Sequence, residues 1–350
     1  MKLVLICGGF GTKMWPESRE ANPKHFLPLV NGKSLFQYNW DVLAENFPLT
    51  DIFLQTNPLQ AEIAKSQAKG ILDDNIFIEP EMRNQGPATG FAAAMLFKRG
   101  FADEPFMLVQ ADDMREPKEA FIKMITQCDK LERSLGKLIT GGIKPKFFTR
   151  GVDYLVPGAI IPNEGGLSVW SIAEYVGRDE EVKIKEYIDQ EKIFIHCNHY
   201  CWTPKFWLET FKSLKPEWYE PLMNIVNGAS VEEEYSKMPK GPVEEVTNII
   251  FKEGYFIELP FEWIDFGTWE SLDKYNSSKG LVSLDKKVFQ IEANNAFVRK
   301  SEDKVVAIIG INDLVVIDTQ DALLICPKNQ SAKVKDVVQA LKDNNLTEYL

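Results

Sequence analysis

Gly8, Gly9 and Gly11 fall within four positions and are followed by Thr12 and Lys13. Glycines at that density permit positive φ and close approach of the backbone, so successive N–H groups can converge on a phosphate anion. Lys13, Arg19 and Lys24 add three fixed cations in one turn-rich stretch, the kind of donors a polyphosphate leaving group needs as charge builds on it. The loop is neither of two common phosphate-binding signatures. Met14 stands where the third glycine of G-x-G-x-x-G belongs, and no Gly-Lys-Ser/Thr ends a Walker A motif. Asp112 and Asp265 offer carboxylates from distant segments, and such a pair beside a triphosphate suits an octahedral Mg²⁺ completed by phosphate and water. Either acid alone reads as well as a turn former or helix cap, and Asp113 is left in that structural role. Cys197, His199 and Cys201 would share one face of an extended segment, but no second Cys/His cluster completes a four-ligand zinc site.

The elements that must position these groups are legible as alternation. Short β-rich apolar runs at Leu3-Cys7, Asp51-Gln55, Asn75-Ile78 and Phe106-Gln110 are each followed by a longer periodic segment, at Ser34-Phe47, Leu59-Lys69, Pro87-Arg99 and Pro117-Leu131. Strand and helix four times over predict an open, mostly parallel sheet wrapped by helices. Ligands in such sheets sit beyond the carboxyl ends of the strands, so the loops after Cys7, Ile78 and Gln110 should carry the site. From about Ile143 to Asn276 the alternation loosens into an elaboration on the sheet. Short β runs at Val305-Ile309, Leu314-Ile317 and Ala322-Ile325 then predict a small β domain over 285–350, closed by a helix from Ser331 to Asp343, with residues 1–284 forming the larger unit.

Composition sets outer limits. With 350 residues, 45% hydrophobic and 26% charged, the chain is globular and long enough for two domains. A formal charge of −11 argues against a broad basic surface for nucleic acid or anionic lipid, so any phosphate should be small and locally bound. The apolar start before Gly8-Gly9 is too short for a signal sequence, and no apolar run approaches the roughly 18 residues of a membrane span. Five cysteines, few and odd in number, fit free thiols in a reducing compartment, and the expected location is the cytoplasm.

Met14-Trp15-Pro16-Glu17-Ser18-Arg19 and Pro23-Lys24 continue the glycine loop, and the whole stretch resembles the sugar-nucleotidyltransferase signature G-G-x-G-T-R-L-W-P-x-S-R followed by P-K. It is most similar to the mannose-1-phosphate guanylyltransferase (GDP-mannose pyrophosphorylase) family. Glu79-Pro80, Arg83-Asn84 and Pro87-Ala88 resemble that family's base-recognition loop E-P-x-x-R-N-T-A-P-A-I. Gly142-Ile143-Lys144-Pro145 matches G-I-K-P, and Trp263-Ile264-Asp265-Phe266-Gly267-Thr268-Trp269 matches W-x-D-x-G-x-W. Ala307-Gly310 through Val315-Thr319 resembles the C-terminal β-helical portion.

The resemblance implies a Rossmann-like, GT-A-like α/β fold, a mixed sheet with flanking helices, plus a C-terminal β domain like a left-handed β-helix. It implies a cytoplasmic enzyme that takes GTP and a sugar 1-phosphate, mannose 1-phosphate first among them, and releases GDP-sugar and pyrophosphate. Lys13 with the amides of Gly8, Gly9, Gly11 and Thr12 would hold the β- and γ-phosphates, and Lys24 would neutralise charge near the α-phosphate. Glu79, Arg83 and Asn84 would serve the base. Mg²⁺ on Asp112 and Asp265 would bridge the reactants, and Lys144, Gly151, Arg178, Asn198 and Glu244 would form the sugar-phosphate side. His25 then needs no general-base role, because a phosphate nucleophile is already ionised near pH 7. No nucleic-acid or membrane partner is implied, and a homodimer through the C-terminal domain is left open.

The sequence departs from the family mostly on the sugar side. Lys13 replaces the Arg of G-T-R, keeping the charge but losing the bidentate fork. F-x-E-K-P has become Tyr175-Val176-Gly177-Arg178-Asp179, W-N-S-G-x-F has become Cys197-Asn198-His199-Tyr200-Cys201-Trp202, and S-I-D-Y stands as Pro242-Val243-Glu244-Glu245. T-G-Y-G-Y is altered around Gly151 and Asp153. These changes point to an acceptor that need not be mannose 1-phosphate, and they leave two competing readings: a guanylyltransferase for another phosphorylated acceptor, and a non-catalytic homologue that binds nucleotide sugars. A dinucleotide-dependent oxidoreductase is the third and is weakened by Met14.

Overall fold

The structure is a computed structural model that describes residues 1–9, 12–281, 286–300 and 303–350. Strands β1 (Lys2–Ile6), β2 (Ile52–Thr56), β3 (Ile76–Ile78) and β4 (Phe106–Gln110) run parallel in the order β3-β2-β1-β4, with Ile6 beside both Gln55 and Gln110. Their carboxyl ends therefore line up, and the four loops that follow open on one edge of the sheet. Helices α1 (Leu35–Asn46), α2 (Ala61–Gln67), α3 (Gln85–Lys98) and α4 (Lys118–Leu135) follow these strands in turn. Ser34 caps α1 by accepting from the Gln37 amide, and Gly136 ends α4 in the left-handed conformation.

Both faces of this half are covered, which is why its strands read as unbroken apolar runs. Leu3, Leu5, Ile52 and Leu54 pack toward Phe36, Trp40, Phe121 and Ile125 of α1 and α4. Val4 and Phe53, on the opposite pleat, pack toward Phe91 of α3 and toward Trp207, Phe211 and Trp218. Gly86 is required there: a Cβ at that position would stand 2.2 Å from the Trp218 ring and 2.9 Å from the Gly241 carbonyl oxygen.

The four strands read from the alternation are parallel as expected, and beyond β4 the sheet is mostly antiparallel, so the whole is the mixed sheet that the resemblance implies. β5 (Asp113–Glu116) leaves the main sheet. β6 (Ile139–Ile143), β7 (Tyr154–Ile160), β8 (Val169–Val176), β9 (Phe194–Trp202) and β10 (Tyr255–Glu258) complete nine strands in it among the described residues. The cause is connectivity. β7 and β8 are joined by a short loop, which forces antiparallel pairing, while β6 and β10 are parallel across a long excursion. The long β9 pairs with β4 at one end, β7 at the other and β6 along its far edge, so β7-β8-β10-β6-β9 close a circuit. That excursion holds α5 (Glu181–Asp189), α6 (Pro204–Leu214), α7 (Pro216–Val226), α8 (Val231–Lys237) and α9 (Glu244–Ile250). β11 (Glu262–Asp265) pairs antiparallel with β5, and α10 (Trp269–Ser278) follows it.

The C-terminal unit is a coil. β12 (Val288–Ile291) lies parallel to β14 (Val306–Ile309), and β13 (Phe297–Lys300) lies parallel to β15 (Leu314–Asp318). Both pairings, and the side-chain bonds Asn294 to Asn312 and Asn295 to Asp313, span 18 residues. The corners repeat likewise: Glu292 and Gly310 have positive φ, as do Asn295 and Asp313. β16 (Leu323–Pro327) turns back antiparallel on β15, and α11 (Val334–Asp343) closes the unit where a helix was expected. β12 and β13 were not singled out in the sequence, and the expected boundary at 284/285 lies outside the described residues.

Burial fixes the charge state of β9. His196 is buried with Nε2 2.9 Å from Thr140 Oγ1 on β6, and burial lowers its pKa from 6.5 to about 4. The unfolded chain therefore binds the extra proton between those values, and the contribution of neutral His196 to stability, full above about pH 6.5, is lost as pH falls toward 4. The His196→Gln variant lacks this titration. Its stability deficit relative to wild type at pH 7 is expected to shrink by about 2 kcal/mol at pH 5, measured by urea unfolding at both pH values.

Candidate functional site

The loops after β1, β2, β3 and β4 enclose a cavity of about 310 Å³ lined by Gly8, Gly9, Asn57, Glu79, Asn84, Gln110 and Asp112, among others. Gly9 has φ 88°, a conformation that exposes its amide without steric cost, and no atom approaches within 4 Å of where a Gly8 Cβ would be. Gly11 and the side chain of Thr12 lie outside the described residues. Gln85, the first residue of α3, also lines this cavity, so the positive end of the helix dipole borders it. Asn84, at φ 72°, accepts from the Gln85 amide.

Glu79 is held from two sides, accepting from Tyr235 Oη at 2.6 Å and from Gln55 Nε2 at 3.1 Å. Burial raises its carboxyl pKa, and those two hydrogen bonds oppose the shift. Arg83, expected at the base, is not among the residues lining the cavity. Its guanidinium donates to Glu81 Oε1 and to the Met238 carbonyl, while Gly86 and Gly241 pair through their backbones, so it fastens the recognition loop to segment 238–241.

Gln85, Gln110 and Asp112 are shared with a second cavity of about 210 Å³ that also contains Lys24, Asp113, Arg115, Asn198, His199 and Asp265. Asp265 reaches Asp113 because the β5–β11 ribbon sets them in register. Carboxylate oxygens of Asp112, Asp113 and Asp265 all lie within 4.8 Å of one another, the one such group of potential metal ligands among the described residues. Lys24 Nζ stands between two of them, 3.1 Å from Asp112 Oδ2 and 3.0 Å from Asp265 Oδ1. Burial opposes charge on this ammonium, but the two carboxylates hold its pKa above the usual lysine value. Burial likewise pushes Asp112 upward, and Lys24 and His25 hold it below the usual carboxylate range. Asp113 is raised to about 7, first by burial and then by the charge of Asp112. The turn role given to Asp113 is thus incomplete: it opens a strand and belongs to the acid cluster.

Arg115, 1% exposed, lies behind the acids. Its Nε donates to His199 Nε2 at 2.7 Å and its Nη1 to Asn39 Oδ1 at 2.9 Å, and the guanidinium sits over the Phe121 ring. Nothing in its local sequence singles it out. His199, grouped with Cys197 and Cys201 when a zinc site is considered, accepts from Arg115 instead, and the two cysteines on its strand are buried free thiols. His25 is also buried, and burial lowers its pKa to about 4, consistent with packing.

The expected sugar-phosphate residues divide. Asn198 joins the acid cavity. Arg178 and Glu244 line a third cavity of about 460 Å³ with Asp153, Tyr175 and Asn248. There Arg178 is committed to acids: Nε donates to Asp153 Oδ1 at 2.9 Å, and Nη2 pairs with Asp153 Oδ2 and with Glu244 Oε1 at 3.2 Å. Lys144 and Gly151 line none of the three cavities. Lys144 Nζ lies 5.9 Å from the Phe194 ring centroid, and Gly151 is an exposed turn at φ 79°. Lys13 is exposed beside the glycine loop. Arg19 is turned away, bonded to the Tyr349 carbonyl and Asp321.

A cation drawn to the acid cluster must compete with the Lys24 ammonium. Removing that ammonium in Lys24→Met is expected to tighten Mn²⁺ binding by about tenfold, read by electron paramagnetic resonance without any substrate. Unchanged or weaker Mn²⁺ binding would show that the metal does not seek the position between Asp112 and Asp265.

Comparison with known proteins agrees with this arrangement. Residues 2–151 match the nucleotidyl transferase family model, and residues 286–341 match the MannoseP isomerase/GMP-like beta-helix domain. The chain is 27% identical over 362 residues to a mannose-1-phosphate guanylyltransferase of Salmonella muenchen, covering 99% of this chain and 74% of that protein. It is 28% identical over 358 residues to the mannose-1-phosphate guanylyltransferase of Salmonella typhimurium, covering 99% and 73%. Among solved structures it resembles a Thermus thermophilus protein described as a mannose-1-phosphate geranyltransferase, with a TM-score of 0.82, 25% identity, and 97% and 99% of the two chains covered. One model thus matches the parallel half of the sheet as a nucleotidyl transferase and another matches the coil, and along nearly its whole length the chain is similar to mannose-1-phosphate guanylyltransferases.

Proposed function

We propose that the protein transfers GMP from GTP to a sugar 1-phosphate, with mannose 1-phosphate as acceptor, giving GDP-sugar and pyrophosphate. The observation that carries this reading is the shared wall between a glycine-lined cavity and the acid cluster, with Asp112 in both. The donor set fits a hard divalent cation: three carboxylates converge, and an ammonium already stands between two of them. Mg²⁺ held by Asp112 and Asp265, with Asp113 beside them, would stabilise charge on the phosphate oxygens as a Lewis acid.

The chain's own residues account for the remaining steps. The amides of Gly8 and Gly9, with Lys13, hold the terminal phosphates of GTP, and Lys24 neutralises charge near the α-phosphate. Glu79 is an acceptor fixed in the cavity wall, suited to the adjacent N–H donors on the Watson–Crick edge of guanine, a pair that adenine lacks. The sugar phosphate oxygen then attacks the α-phosphorus in line and pyrophosphate departs, with no protein nucleophile. Asn198 lies beside the acids on the acceptor side. Arg178, already matched by Asp153 and Glu244, favours a second reading in which the best acceptor is another sugar 1-phosphate.

Five free cysteines support a reducing compartment, which fits a cytoplasmic location. Exposed Phe289, Ile291 and Ile309 on the coil support a homodimer through that face.

A pyrophosphate-release panel crossing four nucleoside triphosphates with several hexose and heptose 1-phosphates tests the reading. GTP is expected to lead ATP by about 10- to 100-fold in kcat/KM, the worth of one hydrogen bond to a charged acceptor. Equal rates with all four nucleotides would remove the guanine assignment, and a tenfold lead by another sugar would move the acceptor away from mannose. Asp112→Asn and Asp265→Asn are each expected to lower kcat by about two orders of magnitude with the fold intact by circular dichroism. Near wild-type turnover at saturating Mg²⁺ in either variant would return that acid to a structural role.

A further inference from the structure

The turn between Lys13 and Lys24 is braced by the far end of the chain. Arg19 Nη1 and Trp15 Nε1 donate to one acceptor, the Tyr349 carbonyl oxygen, at 2.7 and 2.8 Å, using both of its lone pairs. Arg19 Nη2 reaches Asp321 Oδ1 at 2.7 Å. Arg299, on β13 of the coil, grips Glu17 with two parallel bonds of 2.8 Å each. On the other side Trp269 Nε1, four residues after Asp265, donates to the Trp15 carbonyl at 3.1 Å. Trp15 and Trp269 pack in one core with Val315 and Val338 of the coil, a core separate from the two that hold the main sheet.

We infer that the C-terminal coil is a positioning element of the nucleotide site, with Arg299 and Arg19 as its positioning residues. Neither touches substrate in this arrangement. They fix the turn 14–20 and thereby the relative placement of Lys13 and Lys24 at its two ends. A turn of this length left free would lose backbone entropy each time its lysines gathered on a triphosphate, and the coil imposes that order before the nucleotide arrives. Bidentate geometry makes the Glu17–Arg299 pair directional, so it sets an orientation as well as a distance. The consequence for turnover rests on the guanylyltransferase reading, whereas the brace itself does not.

The test uses the full chain with Glu17→Arg, Arg299→Glu, the two together, and Arg19→Gln as a variant that leaves the Trp15 bond in place. Hydrogen exchange of peptides covering 13–24 is the readout independent of activity. Each single variant is expected to speed exchange there by about tenfold while peptides from β1 to β4 keep their rates, and the swapped pair to recover most of the protection. In turnover, the single variants are expected to raise the GTP KM by a similar factor, with kcat and the sugar-phosphate KM nearly unchanged. Unchanged exchange at 13–24, equal acceleration across the sheet, or no recovery in the swapped pair overturns the brace. Faster exchange with an unmoved GTP KM overturns its role in nucleotide binding. If exchange responds as expected while the wild-type chain turns over no GTP, the brace stands and the guanylyltransferase reading falls.

Discussion

Asp112, Asp113 and Asp265 bring three carboxylates into one partly buried place, and such a cluster survives folding only where cations or protons answer it. Lys24 answers two of them directly, Arg115 lies behind the third, and Asp113 accommodates the remainder by holding its proton near neutral pH. Much of the surrounding structure exists to impose that arrangement. The β5–β11 ribbon fixes Asp265 opposite Asp113, and the register of β1 with β4 sets the glycine loop beside Asp112. Burial works against the charge of Arg115, the Asp113 and Asp112 carboxylates oppose that penalty, and His199, Asn39 and the Phe121 face supply contacts that water otherwise would. A site so balanced is chemically compatible with the divalent cation and triphosphate proposed for it, since both would add charges that the existing groups are placed to meet.

The two halves of the main sheet divide the labour. The parallel half, covered on both faces, is rigid and offers four aligned loop ends at which a nucleotide can lie. The antiparallel half, closed into a circuit by the three pairings of β9, carries the residues expected to meet the acceptor. Its third cavity is crowded with acids around a single guanidinium, so an acceptor there meets hydrogen-bond acceptors first and positive charge second. Most of the altered motifs in the sequence lie in this region, while the nucleotide loops keep the family's glycines and, with Lys13 in place of Arg, its positive charge.

Much of this was legible in the sequence for a definite reason. Period-two and period-3.6 hydrophobicity is local, and so are glycine turns and helix caps. β4 is observed at Phe106–Gln110 as the apolar run predicts, and α1 is bounded by Ser34 and Phe47 as its pattern predicts. The loops expected to carry the site line one cavity together, because parallel strands bring their carboxyl ends to the same edge of the sheet. The choice of which distant acids to pair, Asp112 with Asp265, came from the resemblance of the motifs around them to the family's, since no local spacing links segments so far apart.

Pairing across the chain was decided by tertiary structure alone. Whether an arginine faces a ligand or a carbonyl depends on what lies opposite it, and that is set by elements hundreds of residues away. Arg19 is turned to Tyr349, Arg83 to Met238 and Arg178 to Asp153, although each sits in a stretch that reads as a ligand-binding motif. Asp113 shows the same limit from the other side: its own sequence says turn, and only the ribbon to Asp265 makes it part of the acid cluster. Local sequence therefore determined the strands, the loops and the chemistry available at them. The fold decided which charges meet, because electrostatic partnership depends on separation in space and on burial, neither of which is a property of neighbouring residues along the chain.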